Sequence, residues 1–459
     1  MNANQLSADR PQWLSVIDAR RRARASDRAN SLTLTGVWLL LIGLLIGLSG
    51  LRSFRPSIGG LLLHPDLILI GLAFPFVLLT RAGKFPLGPL IASVVFAGMY
   101  TFASIGPATP YMDPISETIK VLSALMTIFT VGLLVRSRSD FVFGAMGLCG
   151  AVAALALRGL EDETIGDRFI DAANKNSYSL YALPAVLLAG YIALRFDWKN
   201  VAFKRLLWLP TLMAAALAAY AILTGGNRSG YLGLALIVLE LFIYALLNPR
   251  FKIVGRASAW ILIALATSAV VVVLIRRQAT EAFERRFAQT VEGTGADRLR
   301  IDIVKASLEI ALENPIAGTS PQKLPYEIGR QLGQLNSEYQ KDYLDTHNVF
   351  AHLIGGAGFP CTLALFATAA ALWFWRPRIR PGTQLGASFY DARNLLRMTL
   401  LLWAVRGLFT REVLYNPGFC IAIGLAIGLC IVEAEAAIEP IETPAGSRGP
   451  LMRPRLQRT

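Results

Sequence analysis

Three basic residues stand where helices are expected to begin: Arg228 in GGNRSGYLG, Arg300 in DRLRIDIV and His347 in DTHNVF. The N-terminal end of a helix carries a partial positive charge, so acidic side chains are favoured there and cations are not. Backbone N–H groups at such an end already attract anions. Cations added at three of them point to an anion-binding site. Gly225, Gly226 and Gly230 around Arg228 let the backbone come close to a ligand. The planar guanidinium fork suits phosphate better than an ammonium does. His347 follows Thr346, a suitable N-cap, and precedes Asn348. Neutral imidazole there can take a proton from a hydroxyl. Each residue also has a plain alternative: a snorkelling arginine at 228, a solvated loop charge at 300, a structural interfacial histidine at 347.

What such residues can do depends on the elements that carry them. The chain has 459 residues, of which 54% are hydrophobic and 17% charged, and its mean hydropathy is +0.49. A soluble chain carries more charge. Runs such as VWLLLIGLLIGLSGL and AWILIALATSAVVVVLI are long enough, as helices, to cross a hydrocarbon core of roughly 30 Å. Lipid forces backbone hydrogen bonds to close within each segment, so the fold class is an all-α polytopic membrane protein. Twelve spans are expected, over 34–51, 60–80, 86–105, 117–135, 140–158, 178–195, 205–223, 229–247, 257–275, 347–374, 393–410 and 416–434. The second is interrupted by His64, Pro65 and Asp66.

Connections alternate in charge. Arg81 and Lys84, Arg136 and Arg138, Arg195 to Arg205, Arg250 to Arg256, and Arg376 to Arg380 fall on one side. Asp113 and Glu117, then Glu161 to Asp171, fall on the other. The positive-inside bias then puts both termini in the cytoplasm. The chain divides into a basic cytoplasmic tail (1–33), nine spans (34–275), one large periplasmic loop (276–346), three spans (347–434) and a second cytoplasmic tail (435–459). The Arg-rich N-terminus lacks the short charged region and cleavage site of a secretory signal. The net charge of +14 follows from these loops and tails, not from a basic stripe that would bind nucleic acid. Cys149, Cys361, Cys420 and Cys430 all fall within apolar segments and read as core thiols, not disulfides or metal ligands.

The loop is longer than an ordinary connection, which marks it as functional. Its stretch from Asp297 to Glu313 has a helical stripe, Ile301, Val304, Leu308 and Leu312, with Asp297 as N-cap and Asn314-Pro315 and Gly318 as the stop. Arg300 then lies in the first turn, and the stripe is expected to face the bundle. Further candidates are Arg406 inside the eleventh span, with Glu412 as its partner or co-ligand, and Lys175 between Asn174 and Asn176 as a glycan contact. The Gly355, Gly356, Gly358 run suits close helix packing.

Taken in order, three segments resemble the O-antigen ligase superfamily, which includes O-antigen and exopolysaccharide polymerases. GGNRSGYLGLAL is similar to its Ser-Arg-Gly segment, although Asn-Arg-Ser stands here. RIDIVKASLEIALENPIAGTSP resembles its Arg-led amphipathic segment, without the Trp common there, and THNVFAHLIGGAGFP its His-Asn segment. The resemblance covers about 170–375 well. It implies a bacterial inner-membrane glycosyltransferase that is metal-independent, inverting and free of cofactors. Its donor would be a glycan on undecaprenyl diphosphate, and its acceptor a hydroxyl of a glycan or lipid at the periplasmic face. Arg228 and Arg300 would bind the diphosphate, with His347 beside the reacting groups and Asn348 next to it. A chain-length regulator is an expected partner, besides membrane lipids. The motifs leave polymerase and ligase open, with a slight lean to polymerase from the Arg-Ser-Gly form. A transporter or flippase is the competing class. It predicts broken helices near the midplane and an internal repeat, and no repeat is found.

Overall fold

A computed structural model describes residues 33–48, 57–58, 61–62, 65–105, 114–161, 175–194, 204–224, 228–247, 296–335, 343–377 and 385–438. The expected ninth span, 257–275, lies outside the described residues, as do most of both tails (1–32 and 439–459), Gly225 to Asn227 and Asn174; the first four residues of the expected C-terminal tail, 435–438, belong to the last helix.

The described chain is helical apart from a two-residue antiparallel pairing of β1 (Ser57–Ile58) with β2 (Leu61–Leu62). Eight helices precede the gap: α1 (Leu34–Leu48), α2 (Pro65–Arg81), α3 (Leu87–Ile105), α4 (Pro114–Leu134), α5 (Arg138–Glu161), α6 (Lys175–Leu194), α7 (Lys204–Thr224) and α8 (Arg228–Leu247). Five follow it: α9 (Ala296–Glu313), α10 (Leu324–Leu335), α11 (Val349–Phe374), α12 (Ala387–Gly407) and α13 (Pro417–Ile438). Eleven of these correspond to expected spans. The second starts at Pro65, not 60, because proline opens a helix without losing a bond. The eleventh starts at Ala387, six residues early. α10, inside the large loop, was not anticipated.

Among the described residues six helical stretches are long and apolar enough to cross a membrane: Pro65–Lys84, Leu87–Ile105, Ser116–Leu134, Arg138–Leu157, Val349–Phe374 and Pro417–Ala436. Leu34–Leu48, Tyr178–Leu194, Leu209–Leu223 and Ser229–Tyr244 are apolar but shorter. Large apolar side chains such as Leu79, Phe102 and Leu363 are exposed on outer faces, as lipid-facing residues must be. The four cysteines are buried and free.

α13 is the axis of the bundle, with 83% of its span buried. It packs on α4, α5, α6 and α12. α1 lies against α5 so closely that a Cβ at Gly147 would come within 2.2 Å of the Leu40 carbonyl oxygen. At one end, the Asp140 carboxylate accepts from Thr33 and from the Arg136 N–H, and Arg81 donates to the carbonyls of Leu133 and Val135. Arg138 grips Glu433 through two bonds of 2.6 and 2.7 Å, and Arg81 and Lys84 pair with Glu435. Two of the basic connections expected on one side, those of Arg81 and Lys84 and of Arg136 and Arg138, are thus gathered with both described chain ends.

α9 and α10 have their own small core, Ile303, Ala306 and Ile310 against Leu324, Ile328 and Leu332, closed by Leu344. α9 also packs on α11. The apolar stripe expected to face the bundle does not: Ile301, Leu308 and Leu312 are exposed, and the packed side is the neighbouring one. α9 has apolar residues on two adjoining sides, and contact with α10 and α11 selects the side with the small residues Ala306 and Ser307. α9 stops at Glu313 as expected, and Gly318 turns the chain with φ 65.

Candidate functional site

The stretch 343–348 carries His347 across the top of α9 and α10. Leu344 anchors it, through its side chain in the small core and its N–H donated to the Pro325 carbonyl (3.0 Å). Asn348 ends it. Its side chain accepts from the N–H groups of Phe350 and Ala351 at 2.9 and 3.0 Å, so Asn348 is the N-cap of α11. Thr346, expected in that role, is buried instead. His347 sits one position before the cap, exposed, with a left-handed backbone (φ 46). Such a conformation is strained for a non-glycine residue and tends to mark functional sites.

His347 and Arg300 line one open cavity of about 350 Å³, together with Leu299, Ile303, Tyr343, Leu344 and Asp345. Two residues distant in sequence therefore line the same cavity. Arg300 is exposed, and α9 begins at Ala296, so Arg300 lies past its first turn and Asp297 inside that turn. For Arg300 and His347 the helix-start argument is weaker than the sequence suggested. What brings them together is the cavity.

Arg228 is the first residue of α8. The next residue, Ser229, is buried and accepts from the Arg406 guanidinium, which also donates to the Ser179 hydroxyl (3.0 Å). Arg406, wholly buried in the last turn of α12, thus ties the starts of α6 and α8 to the end of α12. Its partners include these serines as well as the field of Glu412, which is exposed. Two residues on from Arg406, the Leu408 carbonyl accepts from the Asn348 amide (3.3 Å). Arg228, Arg406 and His347 are therefore at one end of the bundle, opposite the Arg81–Glu435 end. Lys175 opens α6 at this same end.

Sequence reasoning missed Arg411. It opens the 3-10 turn Arg411–Tyr415, and its guanidinium pairs with Asp345 (2.9 Å) and donates to the Tyr343 hydroxyl (2.9 Å). Burial penalises its charge, but Asp345, with Tyr415, Tyr343 and Glu117, more than offsets this and raises its pKa. Arg411 remains a cation behind the cavity wall. Its neighbour Tyr343 has its own pKa raised, by burial first, so the phenol stays protonated. No motif announced Arg411; the available signal was an arginine in a short turn just after an intramembrane one.

The arrangement is that of a multi-pass helical protein with an open cavity, lined by Arg300 and His347, at one end. Residues 213–367, about a third of the chain, match the family model described as O-antigen ligase. That stretch holds all three motifs and is what the chain has in similarity to that family. No curated protein matches the chain.

Proposed function

We propose that the protein is an inner-membrane glycosyltransferase of bacterial surface polysaccharide synthesis. It takes a glycan from undecaprenyl diphosphate and joins it to an acceptor hydroxyl at the periplasmic face. The observation that carries this reading is the shared cavity of Arg300 and His347 within the matched segment. The acceptor oxygen attacks the anomeric carbon from the face opposite the diphosphate, so the centre inverts. The new glycosidic bond forms as the sugar–phosphate bond breaks, and the electron pair leaves with the diphosphate. Arg300 and Arg228 hold that growing negative charge through charge-assisted hydrogen bonds, without a metal. His347 accepts the hydroxyl proton or orients the hydroxyl. Arg406 fixes the α8 start that carries Arg228.

Chain polymerisation is favoured over ligation to lipid A core or protein, on the Arg-Ser-Gly form of the first motif. A transporter would use a helix broken near the midplane, with freed backbone groups lining a cavity. α11 is broken, at Gly358 (φ 80), but its freed groups are bonded by the 315–320 turn, which favours the transferase.

Arg228→Ala, Arg300→Ala and His347→Ala should each abolish long-chain glycan on a gel while protein levels persist. Arg→Lys at 228 or 300 should lose most activity, because the fork geometry goes. Purified protein should keep its activity in EDTA. Full-length glycan in all three alanine variants would overturn the site, and strict metal dependence would overturn the arginine chemistry.

A further inference from the structure

The circumference of α9 divides into three sectors at 3.6 residues per turn. Ile303, Ala306, Ser307 and Ile310 form the packed one. Arg298, Glu309 and Glu313 form an exposed, charged one, with Lys305 at its edge. Between these lie Ile301, Leu308 and Leu312, apolar yet exposed, Leu312 to 72%; the stripe runs on to Ile316, 77% exposed. A helix in water has no use for the third sector.

Two observations say what covers it. The first is depth. The Phe359 N–H donates to the Pro315 carbonyl (2.9 Å), and a Cβ at Gly358 would lie 2.2 Å from the Ile316 carbonyl oxygen. Pro315 and Ile316 therefore sit level with Phe359. That residue is about 23 Å along α11 from Phe374 at 1.5 Å per residue, and a hydrocarbon core is about 30 Å thick. Trp373, Trp375 and Arg376, with Arg393 and Arg397 donating to the Trp373 carbonyl, mark the interface at the Phe374 end. The 315–316 turn is thus inside the far edge of the core. The second is continuity: Phe359, Leu363 and Phe366 of α11 are themselves exposed and apolar, and Ile316 extends that lipid-facing surface.

We propose that α9 is an interfacial helix, seated in one leaflet with Ile301, Leu308, Leu312 and Ile316 against lipid acyl chains and its charged sector in water. The pattern is that of a helix lying in the membrane plane. The seating rests on burial and depth, not on the transferase reading. Joined to that reading, it has a consequence: Arg300, at the border of the packed and apolar sectors, is held near the level of headgroup phosphates. A lipid-linked diphosphate reaches it sideways, its hydrocarbon chain staying in the bilayer.

The test is spin labelling of the full chain in phospholipid vesicles. Single cysteines replace Leu308, Leu312, Ile316 or, as the control, Glu309, exposed in the charged sector; the native cysteines are buried. Labels at 308, 312 and 316 should collide with oxygen several-fold more than with an aqueous nickel chelate, and the label at 309 should do the reverse. Preference for the nickel chelate at 312 and 316 would place the stripe in water. Exclusion of both reagents would mean that protein covers it, whether this chain or a second copy. Either result sinks the proposal, and neither depends on enzymatic activity.

Discussion

His347 holds a backbone conformation that costs a non-glycine residue on the order of 1 kcal/mol, so its neighbours must impose it. Leu344 is pinned on one side and Asn348 caps α11 on the other. Between them Asp345 is gripped by Arg411. We expect Arg411 to position the 343–348 stretch. Arg411→Ala and Asp345→Asn should each slow glycan transfer, and the double variant should be no worse than the poorer single one. That corresponds to a coupling of about 1–3 kcal/mol, read as kcat in purified protein. Strictly additive losses would mean that the pair has no such role. Arg411→Lys should recover part of the rate, since charge survives and the fork does not. Arg228, Arg300 and His347 were legible because their residue types and order form a pattern. Arg411 and Asp345 were not, because pairing between residues that far apart follows from how helix ends meet.

The element that organises the site is the broken helix α11. At Gly355 and Gly356 its carbonyls accept from Thr319 and Ser320 (3.0 and 2.8 Å), and just beyond Gly358 the Phe359 N–H returns a bond to Pro315. The glycine run read as helix-packing residues does permit close approach: Gly355 to Ser307 of α9 and Leu324 of α10, Gly356 and Gly358 to the loop turn. Gly358→Ala combines a left-handed φ with a Cβ 2.2 Å from backbone, so it should cost at least about 2 kcal/mol. It should lower the thermal midpoint in detergent and expose the 314–324 turn to protease. Gly71→Ala, with nothing within 4 Å, should leave the midpoint unchanged or raise it. A Gly358→Ala midpoint equal to that of the unsubstituted protein would dissolve the latch. The spans were readable because a single apolar helix carries its own signal. The face of α9 was not, since two apolar sides compete and tertiary contacts decide. α10 carries its own signal in the Leu324, Ile328, Leu332 spacing, the side that packs on α9.

For the molecule as a whole, the two ends of the bundle should face different compartments. Cysteine at Arg330, on α10, should react with an impermeant maleimide in intact spheroplasts. Cysteine at Lys84 should react only after permeabilisation. Labelling of both from outside would break the assigned topology. The alternation of loop charge made this arrangement legible in outline, since the bias acts on short connections one at a time. What it could not convey is that α13, the last described helix, is the one that the others surround. That has a consequence for biogenesis. α4, α5 and α6 emerge from the ribosome long before their central neighbour exists, so their inward faces must wait in lipid or be shielded by an insertase. The earlier helices can insert as they are made, but the mature bundle is locked only once α13 has joined it. A chain stalled before Pro417 would be membrane-inserted yet unassembled, a natural target for quality-control proteolysis.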